Sequence, residues 1–296
     1  DRAAPGPALP DTMNSDARQS VEQGLEILRS TRAQVELQRA KLLFEHAVEL
    51  DPGYAAAHAA LGNSLVMLSG FGVQPPRELL PQAGRSVRQA LALDPTLASA
   101  WQALAHVQTQ GEWDWTAAEH SYQRAIALDP SSPFNMVFAH LLVGLGRFDE
   151  ALAESDRLLA VEPDLPMRLS SNCIVKVLAR RSGAALEVCD RALARDPVYS
   201  LAHFWRAMAL TSLGRHDEAM TAALASRQAM GFAPTWLVGY LHARAGRLRE
   251  AREVLGAMEA RAASGYVPPV DIALLLAAVG EQTRSLDWLE RGFRER

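Results

Sequence analysis

A small residue returns along this chain at a nearly constant interval. It stands at Ala40, Ala83, Ala118, Ala151, Ala185, Ala219, Ala251 and Ser285, with steps of 43, 35, 33, 34, 34, 32 and 34 residues. Such a period limits the chain to architectures in which each unit packs on its neighbours. A conventional chain of 296 residues would form roughly two domains, and a periodic one escapes that estimate. The surroundings of the marker repeat as well. Gly146, Gly214, Gly246 and Gly280 each precede it by five residues, where glycine can take the left-handed conformation that ends a helix. Asp51–Pro52, Asp94–Pro95, Asp129–Pro130, Asp196–Pro197 and, in weaker form, Glu162–Pro163 follow it. Proline cannot continue a helix and disfavours helical geometry at the residue before it.

The clearest unit is residues 101–130, WQALAHVQTQGEWDWTAAEHSYQRAIALDP. Trp101, Leu104 and Ala105 sit at helical spacing, as do Ala118, Tyr122 and Ala125 after the break at Gln110, Gly111 and Glu112. Two amphipathic helices and a turn are predicted. The unit resembles the tetratricopeptide repeat, with its Trp-x2-Leu-Gly-x2-Tyr, Ala-x3-Phe and Pro pattern; Ala105 replaces the Gly and Gln108 the first Tyr. That resemblance implies an all-α right-handed superhelix, here of about eight helix pairs, over residues 17–296. Residues 1–16, with Pro5, Gly6, Pro7 and Pro10, read as a flexible linker or tail. Asp16 is the expected N-cap of the helix that follows.

Three departures from the period carry their own expectations. The long step comes from an insertion at residues 69–81, SGFGVQPPRELLP, expected to protrude as a loop between two helices of one unit. Its Phe71, Val73, Leu79 and Leu80 suggest that it either folds back over neighbouring helices or docks a partner. The one-residue excess of the next unit falls at residues 112–115, EWDW, where at least one tryptophan is expected to plug an inter-helix gap. The last unit ends in SLDWLERGFRER, with Leu286, Leu289 and Phe293 on one stripe and charge on the other. A polar outer face there suits a cap.

A narrower resemblance rests on segments in a fixed order. AKLLFEHAVELDPGYAAAHAALG precedes the proline-containing insertion, then come GEWDWTAAEHSYQRAIALDP, LGRFDEALAESDRLLAVEPD and SLDWLERGFRER. This is similar to the C-terminal tetratricopeptide module of bacterial signalling proteins: CadC-like winged-helix regulators, adenylate cyclases and serine/threonine kinases. The resemblance implies a sensory or protein-binding arm and a role in signalling or transcription regulation. No winged-helix pattern or kinase glycine-rich loop stands in this chain.

No catalytic constellation is legible, so no enzyme and no cofactor are expected. The eight histidines are scattered one per helix or turn, and no His-Glu-x-x-His, Gly-x-Ser-x-Gly or Walker pattern exists. His58 and His203 occupy the slot of Trp101 and read as packing residues. A net charge of −4 gives no electrostatic case for nucleic acid, and no stretch is long and apolar enough to span a bilayer. Cys173 falls in the slot of Ala105 and Cys189 in that of Tyr122, at about the same height on antiparallel helices. The expectation is two small buried thiols; a disulfide is the alternative if the module lies outside the cytoplasm.

The resemblance also implies that the first helix of each unit lines a concave surface. The inward pairs, spaced i and i+4, are then Ala59/Asn63, Gln102/His106, Met136/His140, Ser170/Ile174, Phe204/Met208 and Trp236/Tyr240. Asn63, Gln102, His106, Met136, His140, Phe204, Met208, Trp236 and Tyr240 are the candidate ligand- or peptide-binding residues, and no metal site is expected. The C-terminal pairs are aromatic and Met-rich, which suits an apolar or amphipathic segment. The leading expectation is a non-enzymatic binding module for a peptide, a protein or an attached effector domain. A small-molecule sensor and a dimerisation arm are the alternatives. A cytoplasmic location is expected, or a periplasmic one if the module follows a membrane anchor.

Overall fold

The computed structural model describes residues 12–30, 34–70, 74–132, 135–230 and 235–294. Among them there is no strand. Sixteen α-helices form eight antiparallel pairs. Two compact units contain them, Asp1–Pro130 and Ser131–Arg296. The first holds α1 (Ser15–Ser30), α2 (Gln34–Leu50), α3 (Ala55–Gly70), α4 (Pro76–Leu93), α5 (Ala98–Val107) and α6 (Trp115–Leu128). The second holds α7 (Met136–Gly144), α8 (Phe148–Val161), α9 (Pro166–Leu178), α10 (Ser182–Arg195), α11 (Ser200–Ser212), α12 (His216–Met230), α13 (Thr235–Arg244), α14 (Leu248–Ser264), α15 (Pro269–Ala278) and α16 (Gln282–Arg294). Within each unit a helix packs on its hairpin partner and on the helices of the adjoining hairpin.

The recurring small residues explain the close pairing. All seven alanines are fully buried and Ser285 nearly so, because any larger side chain would push the two helices of a pair apart. The turns obey the glycine pattern. Gly146, Gly214 and Gly246 have φ of 75° and Gly280 of 89°. In each, the next backbone N–H reaches back into the last turn of the helix, as Arg147 N to Leu142 O at 2.9 Å, satisfying a carbonyl the helix leaves open.

After the second helix, the Asp-Pro turn is held from two sides. The Asp51, Asp94 and Asp196 carboxylates accept from the backbone N–H two residues on, at 2.8–3.1 Å. A ring N–H from the following helix donates to the proline carbonyl. His58 Nε2 reaches Pro52 O at 2.9 Å, Trp101 Nε1 reaches Pro95 O at 2.9 Å and His203 Nε2 reaches Pro197 O at 2.8 Å. These histidines are turn locks, in keeping with their expected packing role.

The structure corrects several expectations. Most of the insertion is helix: α3 runs to Gly70 and α4 starts at Pro76, so Pro76 opens the helix and Pro81 lies inside it. Proline at the first helical position gives up only an N–H that has no partner there anyway. Leu79 and Leu80 are 2% exposed, in a core with Phe44, Leu65, Leu68 and Val107. This part folds back over its neighbours and does not protrude; Phe71 and Val73 lie outside the described residues. The extra residue of the next unit is absorbed by a π-helical turn, Gln108–Glu112. Neither tryptophan beyond it is a plug. Trp113 and Trp115 are 38% and 48% exposed and stack on each other with ring centroids 6.4 Å apart.

At the start of α1 the N-cap is Asn14, not Asp16. Its side-chain oxygen accepts from Asp16 N and Ala17 N at 3.0 and 3.1 Å. At the other end the stripe of Leu286, Leu289 and Phe293 faces solvent, each residue at least 44% exposed, so the outer face of α16 is not the polar cap expected. The two cysteines are joined: Cys173 on α9 and Cys189 on α10 form a disulfide across the hairpin, with Cα atoms 5.6 Å apart, inside the limit for such a bond. No helix among the described residues is long and apolar enough to cross a membrane.

Candidate functional site

The predicted inward positions fall into two groups, and the structure treats them differently. In the first unit they serve the packing of helices. Asn63 on α3 donates to Ala59 O at 3.0 Å and to Ser99 O, at the start of α5, at 3.3 Å. Gln102 is buried. His106 meets Tyr122 of α6 edge-on, ring centroids 5.9 Å apart, and desolvation holds its pKa down to about 4 against a backbone hydrogen bond at Gln102. The ring is half-buried and kept neutral, as suits a packing histidine.

In the second unit Met136 and His140 lie on α7, both half-buried. His140 Nε2 lies 3.0 Å from Ser171 Oγ of α9, which ties successive first helices together. Ser170 is buried and Ile174 half-buried. Further along, the same register places Phe204 and Met208 on α11 and Trp236 and Tyr240 on α13, all half-buried. Phe204 meets Trp236 edge-on at 5.9 Å and Trp236 meets Tyr240 at 6.1 Å. Trp205 adds a third edge-on contact to Phe204 at 5.1 Å. Inward sides of these rings rest on Ala207, Leu210, Leu237 and Leu241. The result is an aromatic ledge, anchored in the core on one side and open on the other.

Two further exposed residues stand in the same repeat register and carry no other mark in the sequence. Val270 and Leu274 on α15 stand 34 positions after Trp236 and Tyr240, and they are 47% and 43% exposed. Valine and leucine in a helical pattern read as core; only the repeat register marks them as surface. Beside them Asp271 is half-buried, and desolvation pushes its pKa up from 3.8 to about 6.

The folded Asp271 carboxyl thus holds its proton more tightly than an unfolded one. It favours the fold below about pH 4, and that contribution is lost as the pH rises through 6. Asp271→Asn should therefore stabilise the protein at pH 7.5 by about 2 kcal/mol and leave it unchanged near pH 3.5. Urea midpoints at the two pH values check this; equal shifts at both would contradict it. His106 works in the opposite sense: its contribution is present above pH 6.5 and lost as the pH falls to 4.

Residues 178–234 match the family model for the tetratricopeptide repeat. No curated protein sequence matches the chain. Among solved structures, the human IFIT1 dimer with m7Gppp-AAAA superposes over 94% of this chain and 72% of its own, at 16% identity and a TM-score of 0.65. A tetratricopeptide repeat protein from Parabacteroides merdae covers 79% of this chain and 93% of its own, at 17% identity and a TM-score of 0.54. Another, from Thermus thermophilus, covers 66% and 98%, at 19% identity and a TM-score of 0.55. At these identities the likeness is one of fold.

Proposed function

We propose that this all-α tetratricopeptide-repeat solenoid is a non-enzymatic binding module, whose second unit receives an apolar or amphipathic protein segment on the ledge of Phe204, Met208, Trp236 and Tyr240. The observation that carries the reading is the ledge itself. Aromatic and methionine side chains at equivalent positions of successive first helices are exposed on one side and braced on the other. Braced aromatic rings lose little freedom on binding, which is why they dominate contact surfaces. Val270 and Leu274 extend the same surface along α15.

A sensory arm that hands a binding event to an attached effector is the role suggested by the order of the repeat segments, which resembles that of regulatory modules in bacterial signalling proteins. The Cys173–Cys189 bond supports an oxidising compartment over the reducing cytoplasm. The m7Gppp-AAAA ligand of the human neighbour is not carried over, because a net charge of −4 lends it no electrostatic support.

Selection of a displayed peptide library against the protein tests the reading. It should return sequences with aromatic or aliphatic residues at helical spacing. Trp236→Ala and Phe204→Ala should each weaken a selected peptide by about 2 kcal/mol, with helicity by circular dichroism unchanged. Full affinity in both variants would end the proposal.

A further inference from the structure

The turn between α9 and α10 departs from its sister turns in two ways. At the position held by Gly146, Gly214, Gly246 and Gly280 it carries Arg180, with φ of 60°. Its hydrogen bonds are those of the glycine turns: Arg180 N to Val177 O at 3.0 Å and Arg181 N to Lys176 O at 2.8 Å. An L-residue is strained in this conformation, which glycine adopts freely. Secondly, the next residue lacks the partner that it has in two of the four glycine turns. Arg147 forms a two-pronged pair with Glu150, at 2.7 Å on both prongs, and Arg215 one with Glu218, at 2.7 and 2.6 Å. Arg181 has Ala184 at that position. Among the described residues, no carboxylate pairs with either Arg180 or Arg181.

Both arginines line a cleft of about 440 Å³ between this turn and the one joining α7 to α8. Its apolar lining is Phe148, Leu152 and Leu178, with Phe148 43% and Leu178 42% exposed. Asp149 is the one carboxylate on the lining. The cleft is open to solvent on one side and sets an apolar wall beside a few polar groups that can fix a ligand's orientation.

We propose that this cleft binds a carboxylate with an aromatic or branched aliphatic body. The acid end lies against the guanidinium groups of Arg180 and Arg181, and the body covers Phe148 and Leu178. Guanidinium forks match a carboxylate in geometry and charge. Asp149 repels a second acid group, so the ligand carries one. A free small acid and the C-terminal residue of a peptide share this chemistry.

Isothermal titration with 3-phenylpropanoate, and with 3-phenylpropanol as its neutral counterpart, tests the first source. A tetrapeptide ending in Phe, with a free or an amidated C-terminus, tests the second. At least one acid should bind, and its neutral counterpart should bind about tenfold more weakly or not at all. Arg181→Ala and Arg180→Gly should each lower the affinity about tenfold. Arg180→Gly should also raise the melting temperature by about 2–4 °C, since it relieves the backbone, so its loss of binding cannot come from a damaged fold. Trp236→Ala should leave this binding intact, which keeps the test separate from the ledge. No binding by either acid, equal binding of the neutral forms, or full affinity in Arg180→Gly would overturn the proposal.

Discussion

Arg168→Ala should destabilise the second unit by about 3 kcal/mol, more than a surface substitution ordinarily costs. The side chain enters from the first turn of α9 and is 1% exposed. Its Nη1 donates to Leu158 O, near the end of α8, and its Nη2 to Ser131 O, both at 2.8 Å. Its Nε lies 2.9 Å from Glu162 Oε2, an ion pair whose angle makes no hydrogen bond. Glu162 is 54% exposed, so that pair is well screened and adds little. The two carbonyls matter more. Without the guanidinium the Leu158 carbonyl loses a charged donor in a buried place, at about 1–3 kcal/mol, while the Ser131 carbonyl, on an exposed residue, can turn to water and loses less. Arg168→Lys should recover only part of this, because one ammonium cannot span what the planar fork spans. Urea midpoints followed by tryptophan fluorescence check both variants. A loss below about 1 kcal/mol for Arg168→Ala would mean that the loop at Ser131 is held by other contacts.

Breaking the Cys173–Cys189 bond should have a comparable effect. The bond closes a loop with a sequence separation of 16, and a loop of that length restricts the unfolded chain by about 3 kcal/mol. Cys173→Ala with Cys189→Ala should lower stability by about that amount. A reducing agent should do the same to the wild type and nothing to the double variant. Both sulfurs lie in a core with Leu169, Val188 and Ala202, so reduction must be carried out under conditions that let the hairpin open. Two titratable thiols in the native protein, with no shift on adding reductant, would contradict the bond.

The repeat was legible because it depends on backbone geometry that few residues satisfy. A left-handed turn selects glycine, and a helix end selects proline, so Gly146, Gly214 and Gly246 and the Asp-Pro pairs mark hairpins whatever lies between them. Close pairing of helices selects a small residue, so Ala118 and Ala219 set the register. The departures lie where a residue has two uses. Pro76 reads as a helix breaker, yet at the first position of α4 it is a helix starter. Arg180 carries no mark of the left-handed turn it occupies. Cys173 and Cys189 fill their slots equally well as thiols, and only the 5.6 Å separation of their Cα atoms distinguishes the bond. Of the candidate ledge, Phe204, Met208, Trp236 and Tyr240 could be placed from register alone. Asn63 and His140 could not, because their hydrogen bonds to neighbouring first helices depend on which helix lies beside them.

The locks on the Asp-Pro turns show what this position selects. An indole at Trp101 and imidazoles at His58 and His203 deliver a ring N–H to the same carbonyl at nearly the same distance. The socket therefore reads a donor atom at a fixed height and not a residue type. A carbonyl oxygen can only accept, so each imidazole presents Nε2 with its hydrogen in place, which settles the tautomer. Tryptophan and histidine are therefore interchangeable at this position, although one ring has a second nitrogen and the other has none.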